Sequence, residues 1–389
     1  MELNKLHQHF FSLFGNPGNK PRLFFAPGRV NLIGEHTDYN GGFVLPCALQ
    51  YGTYLAIRKN NEAKLRFASL NIETSADVSV ANISKKSETP WVNYPLGVFD
   101  QFRQQQANLT GFDLLFSGDI PSNAGLSSSA SIEMVTAFAL NAFLEPSQLG
   151  MIDLIRLSRR AENEFVGVNC GIMDQFAVGM CSADHALFLN CKTLEFNKIP
   201  FILPNTRLII GNTNKPRELA GSRYNERVAE CQLAVASIDP FFPMSSLGEI
   251  SFMQFYKMQD QIADERIRMR ARHVISENQR VLNSVACLMK GDLSQFGALM
   301  NASHESLRDN YEVTGFELDT LVEEAWKING VLGARMTGAG FGGCTVNLVR
   351  ENVVEEFINK VGEGYRSKTG LTADFYLARV SDGVREIND

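Results

Sequence analysis

Apolar and polar positions follow two rhythms along this chain. Residues 22–26 (RLFFA), 43–49 (FVLPCAL), 53–58 (TYLAIR), 64–68 (KLRFA) and 111–117 (GFDLLFS) are short apolar stretches with the β-branched and aromatic content of strands. The first is expected to stop at Pro27-Gly28 and the last at Gly118-Asp119. From 129 to 144 the period lengthens: Ile132, Val135, Phe138, Leu140, Phe143 and Leu144 recur at helical spacing. Residues 92–105 and the charge-rich 151–166 also predict helices, and the N-terminal MELNKLHQHFFSLFG predicts an amphipathic one. Two prolines in 196–206 (FNKIPFILPNT) mark a boundary or crossing segment. Beyond it the pattern predicts a strand (RLIIGN), several helices between 217 and 308, strands at 343–349 and 372–378, and a helix at 351–361. Mixed elements in both halves predict an α+β protein. At 389 residues the chain exceeds the ~250–300 at which single cores stop growing, so two domains are expected, 1–201 and 202–389.

Composition narrows the class. With 44% hydrophobic residues, 21% charged residues and a net charge of −6 from scattered acids and bases, the chain suits neither nucleic acid nor a membrane surface. The basic run ERIRMRARH (265–273) has no aromatic platform interleaved and is expected to be the solvated face of a long helix. There is no apolar run of membrane-spanning length and no long apolar core of a secretory signal. The seven cysteines form no C-x-x-C pair and mostly sit in apolar surroundings, as reduced thiols of a cytoplasmic protein would.

Four segments carry candidate chemistry. In PSNAGLSSSASIE (121–133), small and hydroxyl residues precede a helix. The first turn of a helix offers unpaired N–H groups and a partial positive charge, which suits a phosphate. The same residues suit a serine N-cap on a buried helix, and the run alone does not choose between them. It is neither a G-x-x-x-x-G-K-[ST] loop nor a G-x-S-x-G elbow. RMTGAGFGG (335–343) holds four glycines in nine residues, more than a simple hairpin needs, and predicts a ligand-facing loop. In APGRVNLIGEHTDYNGG (26–42), Arg29, Glu35, His36 and Asp38 crowd together as groups able to hold a polyhydroxylated ligand. Metal binding by His36 lacks a second histidine nearby. In AENEFVGVNCGIMDQF (161–176), Asp174 stands among apolar residues, and Arg29 is its candidate counter-ion. A structural ion pair remains the alternative there.

Together these segments resemble the GHMP small-molecule kinases, most closely the branch that phosphorylates galactose. The family motifs are matched by GRVNLIGEHTDY (28–39), residues 121–130, GIMDQF (171–176) and residues 337–343, in order and over nearly the whole chain. The resemblance implies an N-terminal α/β domain like domain 2 of ribosomal protein S5 and a ferredoxin-like C-terminal α+β domain, with the site between them. It implies ATP-dependent phosphorylation of α-D-galactose at its C1 hydroxyl. Kinases for N-acetylgalactosamine or arabinose are the near alternatives. A non-enzymatic galactose and ATP sensor is a further one, but sensor relatives lack a Ser-Ala pair after the serine run, and Ala130-Ser131 is intact here.

Residue roles follow from the same resemblance. Asn123, Ala124, Gly125, Leu126, Ser127, Ser128 and Ser129 would wrap the triphosphate, with Ser69 on the nucleotide. Ser129 and Glu162 would bind Mg²⁺. Glu133 rivals Glu162, because it follows Ser129 by four residues on the same helix face. Asp174 would take the C1 hydroxyl proton, with Arg29 keeping it ionised. Glu35, His36, Thr37, Asp38, Gly171 and Tyr224 would hold the sugar. The expected partners are galactose and MgATP, with no nucleic acid or membrane, and the chain is expected to act as a monomer.

Overall fold

The computed structural model describes residues 3–16, 18–105, 109–121, 124–144, 149–215 and 220–387. A six-stranded sheet runs in the order Arg385–Ile387, Arg22–Asn31, Pro46–Asn60, Gly111–Gly118, Lys64–Ser69, Ala76–Ser79. Its neighbours are antiparallel except Lys64–Ser69 beside Gly111–Gly118. Alternation along the strands explains both of its coverings. Phe24, Leu55, Ile57, Leu114 and Phe116 point into a core shared with helices Asn93–Gln104, Ser128–Asn141, Met151–Arg160 and Met173–Met180. Leu23, Ala56 and Leu115 point the other way, onto Leu6 and Phe10 of the N-terminal helix Leu3–Phe14.

The first strand corrects an expectation. It does not stop at Pro27 but runs on to Asn31. Its outer neighbour pairs only with Leu23, Phe24 and Phe25, and a bulge between Pro27 and Arg29 absorbs the irregularity. Likewise 43–49 and 53–58 are not two strands: Phe43–Val44 is separate, and Pro46–Asn60 is continuous. The helix expected at 151–166 is α-helical to Arg160 and then widens to a π-turn over Ala161–Val166. The segment 196–206 begins as a strand, Phe196–Pro200, in a three-stranded sheet with Phe43–Val44 and His185–Asn190.

A four-stranded antiparallel sheet, Val331–Thr337, Cys344–Arg350, Thr206–Asn212 and Asp374–Ala378, follows in the second half. One face packs on helices Phe316–Trp326 and Val354–Thr369. Leu208, Ile210, Val346 and Leu348 on the other face meet Val30, Leu32, Leu45 and Leu49 from the first half in one cluster. The helix Glu265–Met289 carries the basic run, and here the solvated-face expectation is corrected. The helical period turns Arg270 and His273 inward beside Ile267, Ala271 and Val274. Arg270 donates to Glu230 at 2.9 Å and to the Asn310 carbonyl at 2.6 Å, and also pairs with Glu312. Among the described residues, no helix is long and apolar enough to cross a membrane, and all seven cysteines are free thiols.

The N-terminal helix is anchored through one buried carboxylate. Asp113 accepts Arg58 at 2.9 Å, Arg66 at 2.6 Å and Asn60 at 2.8 Å. Arg58 then donates to the carbonyls of Phe14 and Gly15, where the helix ends. Asp113→Ala leaves the Arg58 cation buried and unpaired. It is expected to lower the stability measured by guanidinium unfolding by about 3–5 kcal/mol. A loss below about 1 kcal/mol would show that the carboxylate does not hold this corner.

Candidate functional site

A cleft of about 940 Å³ opens where the six-stranded sheet, the serine-rich loop and the second glycine-rich loop meet. Arg29 lines it. The bulge at Gly28 sets the direction of the strand as it enters the cleft. A Cβ on Gly28 would lie 2.7 Å from the Leu126 carbonyl oxygen, so only glycine lets the serine loop run this close. The Arg29 backbone N–H donates to that same carbonyl at 3.1 Å. Its side chain donates from Nη1 to the Gly125 carbonyl at 2.9 Å, and from Nε and Nη2 to the two Asp174 oxygens, both at 2.8 Å. Burial works against the Arg29 charge, but Asp174, Glu35 and Asp38 outweigh it, so its pKa is raised.

The serine helix is not capped in the ordinary way. Ser127 stands at the N-cap position in a left-handed conformation, φ 60° and ψ 49°, and its side chain accepts no capping hydrogen bond. Its hydroxyl donates to Asp174 Oδ2 at 2.5 Å. The first-turn amides therefore keep no side-chain cap, which removes the plain N-cap explanation of the serine run. Ala130 and Ser131 are fully buried behind it, with Ser131 donating to the Ala26 carbonyl at 2.8 Å. That pair fastens the helix to the sheet and does not reach the cleft.

A carboxylate pair lies beside the loop. Glu162 lines the cleft and Glu133 lies fully buried behind it, with Gln175 Nε2 donating to both, at 2.7 and 3.0 Å. Burial pushes both carboxyls above their ordinary range, with Asp174 adding to the effect on Glu162 and Glu162 to that on Glu133. Glu162 is also met by the Ser129 hydroxyl and by the Cys170 thiol at 3.2 Å. One Glu133 oxygen has no hydrogen-bond partner among the described residues. Two adjacent buried carboxyl groups joined through Gln175 suit an added divalent ion. Among the described residues no three His, Cys, Asp or Glu side chains cluster as a metal site.

The polar end of the cleft is built by the segment after Arg29. Glu35 accepts Asn31 at 2.8 Å and the Gly338 N–H at 2.7 Å, which fixes the second glycine loop to the first motif. His36 has a left-handed backbone, φ 62°, and shares a hydrogen bond with Tyr39 at 2.9 Å. Burial first, then His273, lowers its pKa to about 3, so it is a neutral imidazole, and its Nε2 has no partner among the described residues. Asp38 packs on Gly171, where a Cβ would come within 1.8 Å of Asp38 Oδ2. Tyr224 stacks near His36 and Tyr39, and burial keeps its phenol neutral.

Arg29, Glu35, His36, Asp38, Ser69, Ala124, Gly125, Leu126, Ser127, Ser128, Ser129, Glu162, Gly171, Asp174 and Tyr224 all line this one cleft. Asn123 lies outside the described residues. Thr37 differs: its hydroxyl is buried within reach of the Gly34 and Phe43 carbonyls, at 2.8 and 2.6 Å, and its side chain does not face the cleft. Sequence reasoning missed the far wall, where Trp91, Tyr94, Ile72 and Phe116 make an apolar end near Ser69. It also missed Gln175, although that residue directly follows Asp174 in the GIMDQF motif.

Comparison with known proteins agrees with this geometry. The galactokinase galactose-binding signature matches residues 8–59, the GHMP kinases N terminal domain residues 93–182, and the GHMP kinases C terminal residues 284–367. The chain is 49% identical over 385 residues to a galactokinase of Exiguobacterium sibiricum, covering 98% of this chain and 97% of that one. It is 46% identical over 381 residues to a galactokinase of Bacillus subtilis, covering 97% of each. Lactococcus lactis galactokinase, solved in complex with galactose, superposes with a TM-score of 0.96 at 41% identity, over 99% of this chain and 100% of that one. A mevalonate kinase shares the fold alone, with a TM-score of 0.64 at 20% identity.

Asp38 generates a pH prediction. Burial, then Asp174, pushes its carboxyl from 3.8 up to about 7. The native state therefore holds this proton between about pH 4 and 7 while the unfolded chain releases it, so stability falls as pH rises through that window. Asp38→Asn removes the penalty. Its gain in unfolding temperature in the ligand-free protein is expected to grow from pH 4 to 7 and then level. A gain of equal size at pH 4 and pH 8 would contradict the assignment.

Proposed function

Because this chain belongs to the galactokinase family of GHMP kinases, we propose that the cleft is where it transfers the γ-phosphoryl group of ATP to the C1 hydroxyl of α-D-galactose, with Asp174 as proton acceptor. One observation carries this: the bidentate Arg29–Asp174 pair stands between the sugar-type polar cluster and the uncapped helix start. The proposed division into residues 1–201 and 202–389 puts the cleft between two units, the last strand returning to the first sheet. The seven free thiols support a cytoplasmic place of action.

Phosphoryl transfer passes through a loose transition state and needs positioning and charge stabilisation more than covalent chemistry. The first-turn amides of Ser128–Asn141, with Gly125 and the serines Ser127 to Ser129, receive the phosphates. The apolar wall of Trp91, Tyr94 and Ile72 suits the base of the nucleotide. Glu35, His36, Asp38 and Tyr224 hold sugar hydroxyls, His36 through its unpaired Nε2. Asp174, paired with Arg29 through both of its oxygens, offers a carboxylate acceptor. That is adequate where the attacking oxygen has formed little bond and gives up its proton late. Arg29 places positive charge beside the phosphoryl group in flight. A Mg²⁺ ion bound with ATP would neutralise phosphate charge. Ser129 and Glu162 would hold it, the placement of Glu162 on the cleft wall favouring it over Glu133.

Asp174→Asn keeps the shape and removes the base. Galactose-dependent ADP release is expected to fall at least 10²–10⁴-fold with the circular dichroism spectrum intact. Turnover within about tenfold of wild type would sink the assignment. The same assay across galactose, N-acetylgalactosamine and arabinose separates the sugar alternatives. For the metal, Glu162→Gln is expected to raise the Mg²⁺ concentration needed for half-maximal activity by about tenfold or more, and Glu133→Gln by less. The reverse order would transfer the metal role to Glu133.

A further inference from the structure

Ser127 joins two sites through one hydroxyl. Its Oγ donates to Asp174 Oδ2 at 2.5 Å, and that same oxygen accepts Arg29 Nη2 at 2.8 Å. A carboxylate oxygen presents two lone pairs in the plane of the group, so Oδ2, with two donors, is fully engaged, while Oδ1 accepts Arg29 Nε and keeps one position; a hydroxyl that docks on Oδ2 must displace Ser127. Arg29 is itself held by the Gly125 carbonyl and by burial. The Ser127 hydroxyl turns about a single bond and lies on the loop that lines the cleft with Gly125 and Ser128. Its left-handed backbone is unusual for a residue other than glycine. Such conformations persist where they serve a site, and here the conformation brings the hydroxyl to Asp174 without capping the helix.

We propose that Ser127 gates the acceptor carboxylate. With no nucleotide bound, the Ser127 hydrogen rests on Asp174. A phosphate oxygen arriving at the loop takes that hydrogen bond over, and Oδ2 opens to the C1 hydroxyl of the sugar. The serine O–H bond stays whole and only changes acceptor, so no proton is lost or gained. Nucleotide and sugar must then strengthen each other's binding by the same factor. The gate rests on Asp174 being the proton acceptor and on the serine loop receiving phosphate.

Calorimetric titration of galactose with and without the β,γ-imido analogue of ATP and Mg²⁺ tests the gate in wild type, Ser127→Ala and Ser127→Gly. Glycine adopts the left-handed backbone freely and covers the case in which the alanine variant does not fold. Wild type is expected to bind galactose about fivefold or more tightly with the analogue bound. Both variants are expected to lose the dependence and to bind galactose alone as tightly as wild type does with the analogue. Three results overturn the gate: no coupling in wild type, coupling of wild-type size in the folded variants, or variants that lose the analogue yet bind galactose like nucleotide-free wild type. The last would make Ser127 a phosphate ligand only. Wild-type turnover by Asp174→Asn would instead remove the acceptor assignment itself, so the two failures are distinguishable.

Discussion

The fork of hydrogen bonds made by Arg29 sets the geometry of everything around it. A guanidinium offers five N–H donors in one rigid plane, and lysine could not copy that pattern. Here the plane spans three separately folded pieces. Arg29 comes from a strand inside a sheet, the Gly125 carbonyl from the loop before a helix, and Asp174 from the first turn of another helix, while the Arg29 backbone N–H holds the Leu126 carbonyl of the same loop. Each bond fixes one piece against the strand. The strand is the stiffest of the three, since both of its edges are hydrogen-bonded along its first part. Shifting any piece by an ångström would break the in-plane geometry of the others.

Buried charge takes two forms in this molecule, and the difference separates support from chemistry. Asp113 is satisfied by two arginines and an asparagine, and Glu277 by Arg280, Ser303 and the Gly34 N–H. Arginine and histidine neighbours hold the Glu277 carboxyl down at about 2 despite its burial. These groups need nothing further. Glu133, Glu162 and Asp38 are pushed the other way by burial, with neighbouring carboxylates adding to the push. An acid raised in this manner lacks a cation or a donor that a ligand can bring. These raised acids border the cleft or stand directly behind it, while Glu277 sits under the first motif and Asp113 at the far corner of the sheet.

The sequence made the motifs legible because each of them concentrates residue types that ordinary loops do not need together. Polar crowding after Arg29, the serine run and the second glycine loop could all be marked before their meeting place was known. What remained hidden was set by long-range contact. Nothing local shows that Ser127 spends its hydroxyl on Asp174, 47 residues away, because a serine ahead of a helix reads as a cap. Pro27-Gly28 reads as a strand end, but the outer partner 385–387 stops at Phe25, a bulge absorbs the irregularity, and pairing with Pro46–Asn60 carries the strand on to Asn31. The inward turn of Arg270 within a basic run likewise depends on Glu230 and Glu312, which local composition does not reveal. Thr37 looked like a sugar ligand by its neighbours, yet its hydroxyl is used up within its own turn.

Packing explains how a loop rich in small residues stays firm enough to hold a phosphate. Ala124 and Leu126 bury their side chains in the cluster that also holds Val30, Leu32, Leu208, Val346 and Leu348. That cluster draws from both halves of the chain. The loop is therefore pinned by its apolar side chains, and its polar backbone is left to face the cleft and Arg29. Dense interiors resist displacement, so a loop fastened this way needs no ion pair of its own to keep its shape. The same cluster includes Val30 and Leu32, which flank the start of the first motif just past Arg29. Sugar-type residues and phosphate loop thus share one apolar floor, and the distance between them follows from how that floor is packed.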